Sequence, residues 1–124
     1  MAMRLVRLLG LATAAYSAAI MVRPKGLARP CGMTGPDSEA PPATATLIRA
    51  IGARDTVIGG ATILDRGPHA LRAVSFCRAT ADLCDAVAFG RVLDGKQRTK
   101  IAGFAAGWGV PCEAAAISGA RESR

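Results

Sequence analysis

The sequence predicts an all-α protein, an antiparallel bundle of four transmembrane helices. It contains four apolar segments, each about as long as the roughly 20 residues that a helix needs to cross a bilayer. Apolar residues make up 51% of the 124 residues, yet aromatic residues make up only 4%. Aromatic side chains supply much of the core of a water-soluble protein, whereas Ala and Gly allow helices to approach closely in lipid. Composition therefore favours a bundle in a membrane.

The first helix is predicted over about residues 4–22. An uncharged stretch from Leu8 to Val22 follows two arginines, and a basic, helix-breaking run ends it. A secretory signal peptide with a cleavage site at Ser17-Ala18-Ala19 is the alternative. Because the apolar run continues through Val22, we expect the helix to be retained. The following loop, residues 24–42, holds five of the seven prolines, which predicts an irregular surface connection.

The other three helices are predicted over about 43–64, 68–93 and 99–120. Pro68 suits the first turn of its helix. Pro111 lies inside the last helix, where a kink is tolerated better in a membrane than in water. Two polar turns are expected to separate these helices, Asp65-Arg66-Gly67-Pro68 and Asp94-Gly95-Lys96.

The second and third segments carry charges that set them apart from the first and fourth, which are apolar enough to be spans by themselves. The charged residues are Arg49, Arg54 and Asp55, then Arg78, Asp82 and Asp85. Each Arg or Asp costs roughly 2.5–3.5 kcal/mol at the centre of a membrane helix. Because these charges sum to zero, we expect them to be paired or functional. The second and third helices would then need each other in order to enter a membrane.

Helical spacing places the charges of the third helix on one face. Ser75, Arg78, Asp82, Asp85 and Phe89 follow one stripe, because residues three or four apart are neighbours on a helix. Two aspartates so close together could share a proton, and such a pair can perform acid–base chemistry.

The second helix carries a stripe in which small residues surround Asp55. Gly52 and Gly59 should let a neighbouring backbone approach closely. Arginine suits buried pairing because its planar group can hold a carboxylate with two hydrogen bonds. The expected pairs between the helices are Arg49 or Arg54 with Asp82 or Asp85, and Asp55 with Arg78.

Two interpretations of this cluster stay open. The ions could lock two helices in register, or they could line a polar pocket. In the second case the catalytic candidates are Asp55, Asp82 and Asp85, and the ligand-binding or ion-pair candidates are Arg49, Arg54 and Arg78. Tyr16 and Trp108 are either interfacial anchors or packing residues.

Other classes of site are not indicated. The net charge is +7, but the basic residues are scattered, so no nucleic-acid partner is expected. None of the four cysteines forms a CxxC pair, and we expect neither a metal nor a cofactor. Cys77 and Cys84 would lie about 10 Å apart on one helix face, too far apart for a disulfide.

A resemblance to a known family rests on three runs of residues: Arg23-Pro24-Lys25-Gly26-Leu27-Ala28, Leu47-Ile48-Arg49-Ala50-Ile51-Gly52-Ala53-Arg54-Asp55 with the following Gly59, and Asp82-Leu83-Cys84-Asp85-Ala86. Through them the chain resembles a bacterial domain-of-unknown-function family of small, DoxX-like, four-helix membrane proteins. The resemblance covers nearly the whole chain. A length of 124 residues is enough for one domain, so we expect a single domain over residues 1–124. The resemblance implies an integral membrane protein and supplies no catalytic residues.

The sequence thus predicts a multi-pass protein of the cell membrane that acts as a binding or accessory component. The expected partners are the lipid bilayer, a small apolar ligand and a second copy of the chain. The alternative is a membrane-bound isomerase or cyclase that uses buried carboxylates on an apolar substrate. Whether the protein is an enzyme stays open.

Overall fold

The computed structural model describes residues 2–64 and 67–122, and this part of the chain is all-helical. The expected turn residues Asp65 and Arg66 lie outside the described residues. The helices are α1 (Ala2–Val22), α2 (Lys25–Ala28), α3 (Pro42–Leu64), α4 (Pro68–Val92) and α5 (Gly95–Glu122).

The long helices match the apolar segments, with one difference at the start of α5. Pro68 begins α4 after the extended residue Gly67, as its fixed φ angle predicts. The expected turn at residues 94–96 is shorter than predicted, because α5 already begins at Gly95. The backbone N–H of Arg98 donates to the Asp94 carbonyl at 2.8 Å, so the polar residues of this turn enter the helix.

Helices α1 and α3 run antiparallel in very close contact. A Cβ atom on Gly59 would lie 2.8 Å from the Gly10 carbonyl oxygen, and one on Gly52 would lie 2.8 Å from the Ser17 carbonyl oxygen. Only glycine fits at such distances, so the predicted close approach at Gly52 and Gly59 is confirmed. This contact directs the helix face that contains Asp55 towards the interior of the bundle.

The second and third predicted helices were expected to need each other in order to enter a membrane, yet α3 and α4 are not each other's main packing partners. Instead α1 packs mainly on α3, α4 packs mainly on α5, and α1 also contacts α5. Hydropathy does not specify which helices pair, and the small residues at the α1–α3 contact favour that pair. Helices α3 and α4 touch less extensively, which leaves space between them.

Two small apolar clusters lie at opposite ends of the bundle. Val6, Leu71 and Ala115 form one cluster where α1 and α4 begin and α5 ends. Ile20, Ala28 and Ile48 form the other, at the opposite end of the bundle. The four long helices therefore alternate in direction around a region that neither cluster fills.

The proline-rich segment 24–42 is largely irregular and exposed, as expected, but it packs part of its length against the bundle. It contains α2, and Ala28 and Cys31 are buried. The Lys25 ammonium lies 2.8 Å from a carboxylate oxygen of Glu39. The apolar residues within the segment pack onto the end of the bundle, so the segment forms a cap.

One helix in the described part of the chain is long and apolar enough to cross a membrane by length and composition alone. It is α1, where Arg4–Val22 has a mean hydropathy of 1.7. The expectation that the last helix also meets this standard by itself is not met. The charged residues of α3 and α4 lower the mean hydropathy of these helices whether their side chains face the interior of the bundle or its outer surface.

Candidate functional site

A cavity of about 440 Å³ lies between α1, α3, α4 and α5, below the cap. Its volume is typical of small-molecule sites, which range over roughly 300–1,000 Å³. Asp55, Arg78, Asp82 and Asp85 line it together with apolar and aromatic side chains. The charged stripe of α4 thus faces the interior, as helical spacing predicts.

Arg54 joins two helices through a bidentate ion pair. Its Nη1 and Nη2 donate to Oδ1 and Oδ2 of Asp85 at 3.0 and 2.7 Å, and its Nε donates to Oδ1 of Asp55 at 2.9 Å. Paired, parallel hydrogen bonds between a guanidinium and a carboxylate are among the stronger interactions in proteins. A single arginine therefore holds two carboxylates on the cavity wall, one from α3 and one from α4.

Arg78 and Asp82 form a second ion pair within α4. The Arg78 Nε donates to Oδ2 and Oδ1 of Asp82 at 3.1 and 3.3 Å, as their i,i+4 spacing allows. Over residues 2–64 and 67–122, Arg78 makes no other side-chain hydrogen bond. Its side chain is only 11% exposed and contributes to the lining of the cavity.

Arg78 also borders a second, smaller cavity. This space of about 40 Å³ is lined by Thr13, Ser75, Cys112 and Glu113 among others. A water molecule needs roughly 10–15 Å³ of such volume and two to four polar partners, so a few waters fit here. Arg78 therefore borders both this small, mainly apolar space and the central cavity.

Some of the ion pairs predicted between the helices are replaced by other ion pairs. Arg54 reaches Asp85, which is one of the expected combinations, but Asp55 pairs with Arg54 and not with Arg78. Asp82 is paired with Arg78, whereas Asp85 shares Arg54 with Asp55, so each of the two aspartates is paired with an arginine and not with the other.

The structure places Arg49 outside the predicted ion-pair cluster. Its side chain is exposed, and its Nε donates to the Met21 carbonyl oxygen at 3.3 Å. Arg49 precedes Arg54 by five residues, which places the two on different faces of α3. Arg49 therefore fastens the end of α1 to the start of α3 and does not belong to the ion-pair cluster.

The α1 side of the cavity was missed by sequence reasoning. Thr13 and Ser17 are buried there, and the Trp108 Nε1–H donates to the Thr13 hydroxyl at 3.0 Å. The rings of Tyr16 and Phe104 lie with centroids 6.0 Å apart. Tyr16 and Trp108 thus both line the cavity, while Tyr16 is also 40% exposed. The signal available in the sequence was the helical spacing on α1, where Tyr16 follows the polar residue Thr13 by three positions.

The cap supplies Leu27, Cys31 and Met33 to the cavity. The Gln97 side-chain amide donates to the Gly32 carbonyl at 2.7 Å, which ties the cap to α5. Burial raises the pKa of the Cys31 thiol above its ordinary value, and the Lys100 ammonium opposes this shift. Cys31 is therefore a neutral thiol at pH 7.

The fold and the site define an all-helical protein with an ion-pair cluster on the wall of an internal cavity. Within residues 2–64 and 67–122 there is no group of three or more His, Cys, Asp or Glu residues that could hold a metal ion. Comparisons with protein-family models, with curated proteins and with solved structures find no match to this chain.

Proposed function

We propose that this chain is a four-span integral membrane protein that binds a small ligand with an apolar body in its central cavity. The observation that carries the proposal is the distribution of charge between the two sides of α4. Between Arg72 and Arg91 every exposed residue of α4 is uncharged, whereas Arg78, Asp82 and Asp85 are turned inward. A water-soluble helix has the opposite arrangement, with its charges outward.

The same arrangement extends around the bundle. On α5, the exposed residues described between Lys100 and Arg121 are all uncharged, and α1 carries no charge after Arg7. Large apolar side chains are highly exposed on different helices, for example Val57 at 71% and Phe76 at 74%. Together these faces form a continuous uncharged belt that suits contact with lipid.

The lengths of the helices are consistent with four spans. Helices α1, α3, α4 and α5 contain 21, 23, 25 and 28 residues, and about 20 residues cross the hydrocarbon core. The ion pairs of Arg54 and Arg78 would lower the cost of burying charge in α3 and α4. On this proposal α1 is retained as part of the mature fold, since it forms one wall of the cavity. As part of the same proposal, the chain belongs with the DoxX-like proteins that it resembles, and it assembles with a second copy of itself.

Ligand binding is favoured because the cavity is mainly apolar with a few converging polar groups, which is typical of small-molecule sites. A second candidate function, an isomerase or cyclase, is favoured by the carboxylates of Asp82 and Asp85 on the cavity wall. An Asp82→Asn variant separates the two. Turnover by the native protein that is lost in a folded Asp82→Asn variant would support the enzyme, whereas ligand binding by the native protein without any turnover would support the binding function.

The membrane location is testable through two exposed thiols. Cys77 and Cys84 lie on the outer face of α4, and Cys31 is buried. On the proposal, a membrane-impermeant maleimide does not label Cys77 or Cys84 in intact vesicles, because both face lipid. A Ser38→Cys variant in the exposed cap is the positive control in vesicles opened to both sides. Rapid labelling of the native thiols, or release of the protein by carbonate, would contradict four spans.

The binding function is testable through Trp108, which is the only tryptophan of the chain and lines the cavity. Energy transfer from Trp108 to the neutral apolar dye N-phenyl-1-naphthylamine should report its binding in maltoside micelles. An Ala105→Phe variant fills the cavity wall and should abolish saturable transfer. Ala106→Phe places the same ring on the exposed face and should not. Equal transfer in both variants would refute binding in the cavity.

A further inference from the structure

We infer that the ligand of the central cavity is an amphipathic organic cation, a positively charged group carried on an apolar or aromatic body. This inference rests on the proposed ligand-binding function and specifies the chemical class of the ligand. It follows from the charge balance of the cavity and from the nature of its walls.

The charge around the cavity is negative when every acid and base is ionised. Three carboxylates and one guanidinium line the cavity, and Arg54 adds a second positive charge from behind two of the carboxylates. The sum over the groups that line the cavity or pair with its lining is one negative charge. The exposed Lys100 ammonium acts on the Cys31 thiol at the cap end of the cavity and is not in the ion pairs of these carboxylates. Tyr16 and Cys31, which also line the cavity, are uncharged at pH 7 in their ordinary forms. Glu113 on the adjacent smaller cavity adds a charge of the same sign.

The excess negative charge has a definite position. Arg78 is paired with Asp82 alone, whereas Arg54 is shared between Asp55 and Asp85. The two carboxylates bound to Arg54 therefore carry one more negative charge than their single cation neutralises. An unbalanced charge is costly in a low-dielectric interior, so this wall favours a cationic group and repels an anionic one.

Aromatic rings line the same space. Phe89, Phe104, Tyr16 and Trp108 border the cavity, and the Trp108 indole is held by its hydrogen bond to Thr13. Aromatic faces attract cations through their electrostatic quadrupole, most strongly where water is excluded. The cavity thus provides carboxylates for the charge of the ligand and rings for both its charge and its apolar body.

The test compares two ions of similar shape and opposite charge. In uncharged maltoside micelles, tetraphenylphosphonium and tetraphenylborate are each used to displace N-phenyl-1-naphthylamine, with energy transfer from Trp108 as the readout. We expect the cation to bind at least about tenfold more tightly than the anion, which is a modest effect for one net charge. Equal binding, or tighter binding of the anion, would overturn the inference and leave the ligand-binding function intact. If neither the dye nor either ion binds, the binding function itself fails.

An Asp55→Asn variant tests the origin of the preference. It removes one negative charge and leaves both the Arg54–Asp85 and the Arg78–Asp82 pairs in place, so the cavity becomes neutral. We expect tetraphenylphosphonium affinity to fall about tenfold while the neutral dye binds as before. Asp94→Asn, at an exposed position outside the cavity, is the matched control and should bind as the native protein does. Unchanged cation affinity in Asp55→Asn overturns the inference, and Asp85→Asn takes its place if Asp55→Asn does not fold.

Discussion

Adding one methyl group at Gly59 should separate α1 from α3 and destabilise the whole bundle. The new Cβ would lie 2.8 Å from the Gly10 carbonyl oxygen and 2.9 Å from the Ala14 amide nitrogen. Both obstacles are backbone atoms, so no side chain can rotate away and the helices must move apart. Overpacking of this kind costs about 1–3 kcal/mol, and rigid backbone on both sides indicates the upper end of that range.

Replacing glycine by alanine inside a helix also stabilises the folded state by about 1 kcal/mol, because alanine has the higher helix propensity. The net loss expected for Gly59→Ala is therefore about 2 kcal/mol, from these two opposing effects. Gly60 is the matched control, because no atom lies within 4 Å of a Cβ built there. Gly60→Ala should keep the propensity gain alone, so the two variants should differ by about 3 kcal/mol.

The measurement is reversible unfolding in mixed micelles of maltoside and dodecyl sulfate, followed by far-ultraviolet circular dichroism. A difference of less than about 1 kcal/mol between the adjacent variants, well below the overpacking cost expected here, would refute the close α1–α3 contact. Loss of stability in both variants would mean that Gly60 also faces a neighbour, which the arrangement of the helices excludes.

Two further predictions concern the cavity wall. Arg54→Gln should destabilise the fold by about 2 kcal/mol, because the Arg54–Asp85 pair is partly buried and hydrogen bonds between charged groups contribute about that much. The exposed Arg49→Gln should change stability by less than about 0.5 kcal/mol. Adding Asp85→Asn to Arg54→Gln should recover part of the loss, and no recovery would contradict their direct pairing. Thr13→Val should cost about 1 kcal/mol by removing the acceptor of the Trp108 indole and should shift the Trp108 emission. Unaltered emission would argue against that hydrogen bond.

Helical periodicity was sufficient to predict which residues of α4 share a face and that Gly52 and Gly59 mark a close contact. Both features depend only on residues within one helix, where the geometry is fixed at 3.6 residues per turn. The sequence also limited the cross-helix pairs to a few combinations, of which Arg54 with Asp85 is present.

Features that depend on how helices assemble were not predictable in the same way. Hydropathy does not reveal that α1 pairs with α3, nor that the cavity is completed by Thr13 and Ser17 of α1. The choice of Arg54 over Arg49 follows from the rotation of α3 that the α1 contact imposes. The prediction of an irregular surface connection rested on the prolines of the cap, although Leu27 and Met33 show that the cap has apolar surface to bury.

On the proposed membrane location, the ion pairs affect the order in which the bundle assembles during synthesis. Arg54 bonds Asp55 within α3, and Arg78 bonds Asp82 within α4. Each helix thus neutralises most of its interior charge before it meets the other, and only Asp85 must await a partner from outside its own helix. An α1–α3 hairpin, joined through small residues, could therefore form while α4 is still being synthesised. The bond between Arg54 and Asp85 would then be the step that recruits the second half of the bundle.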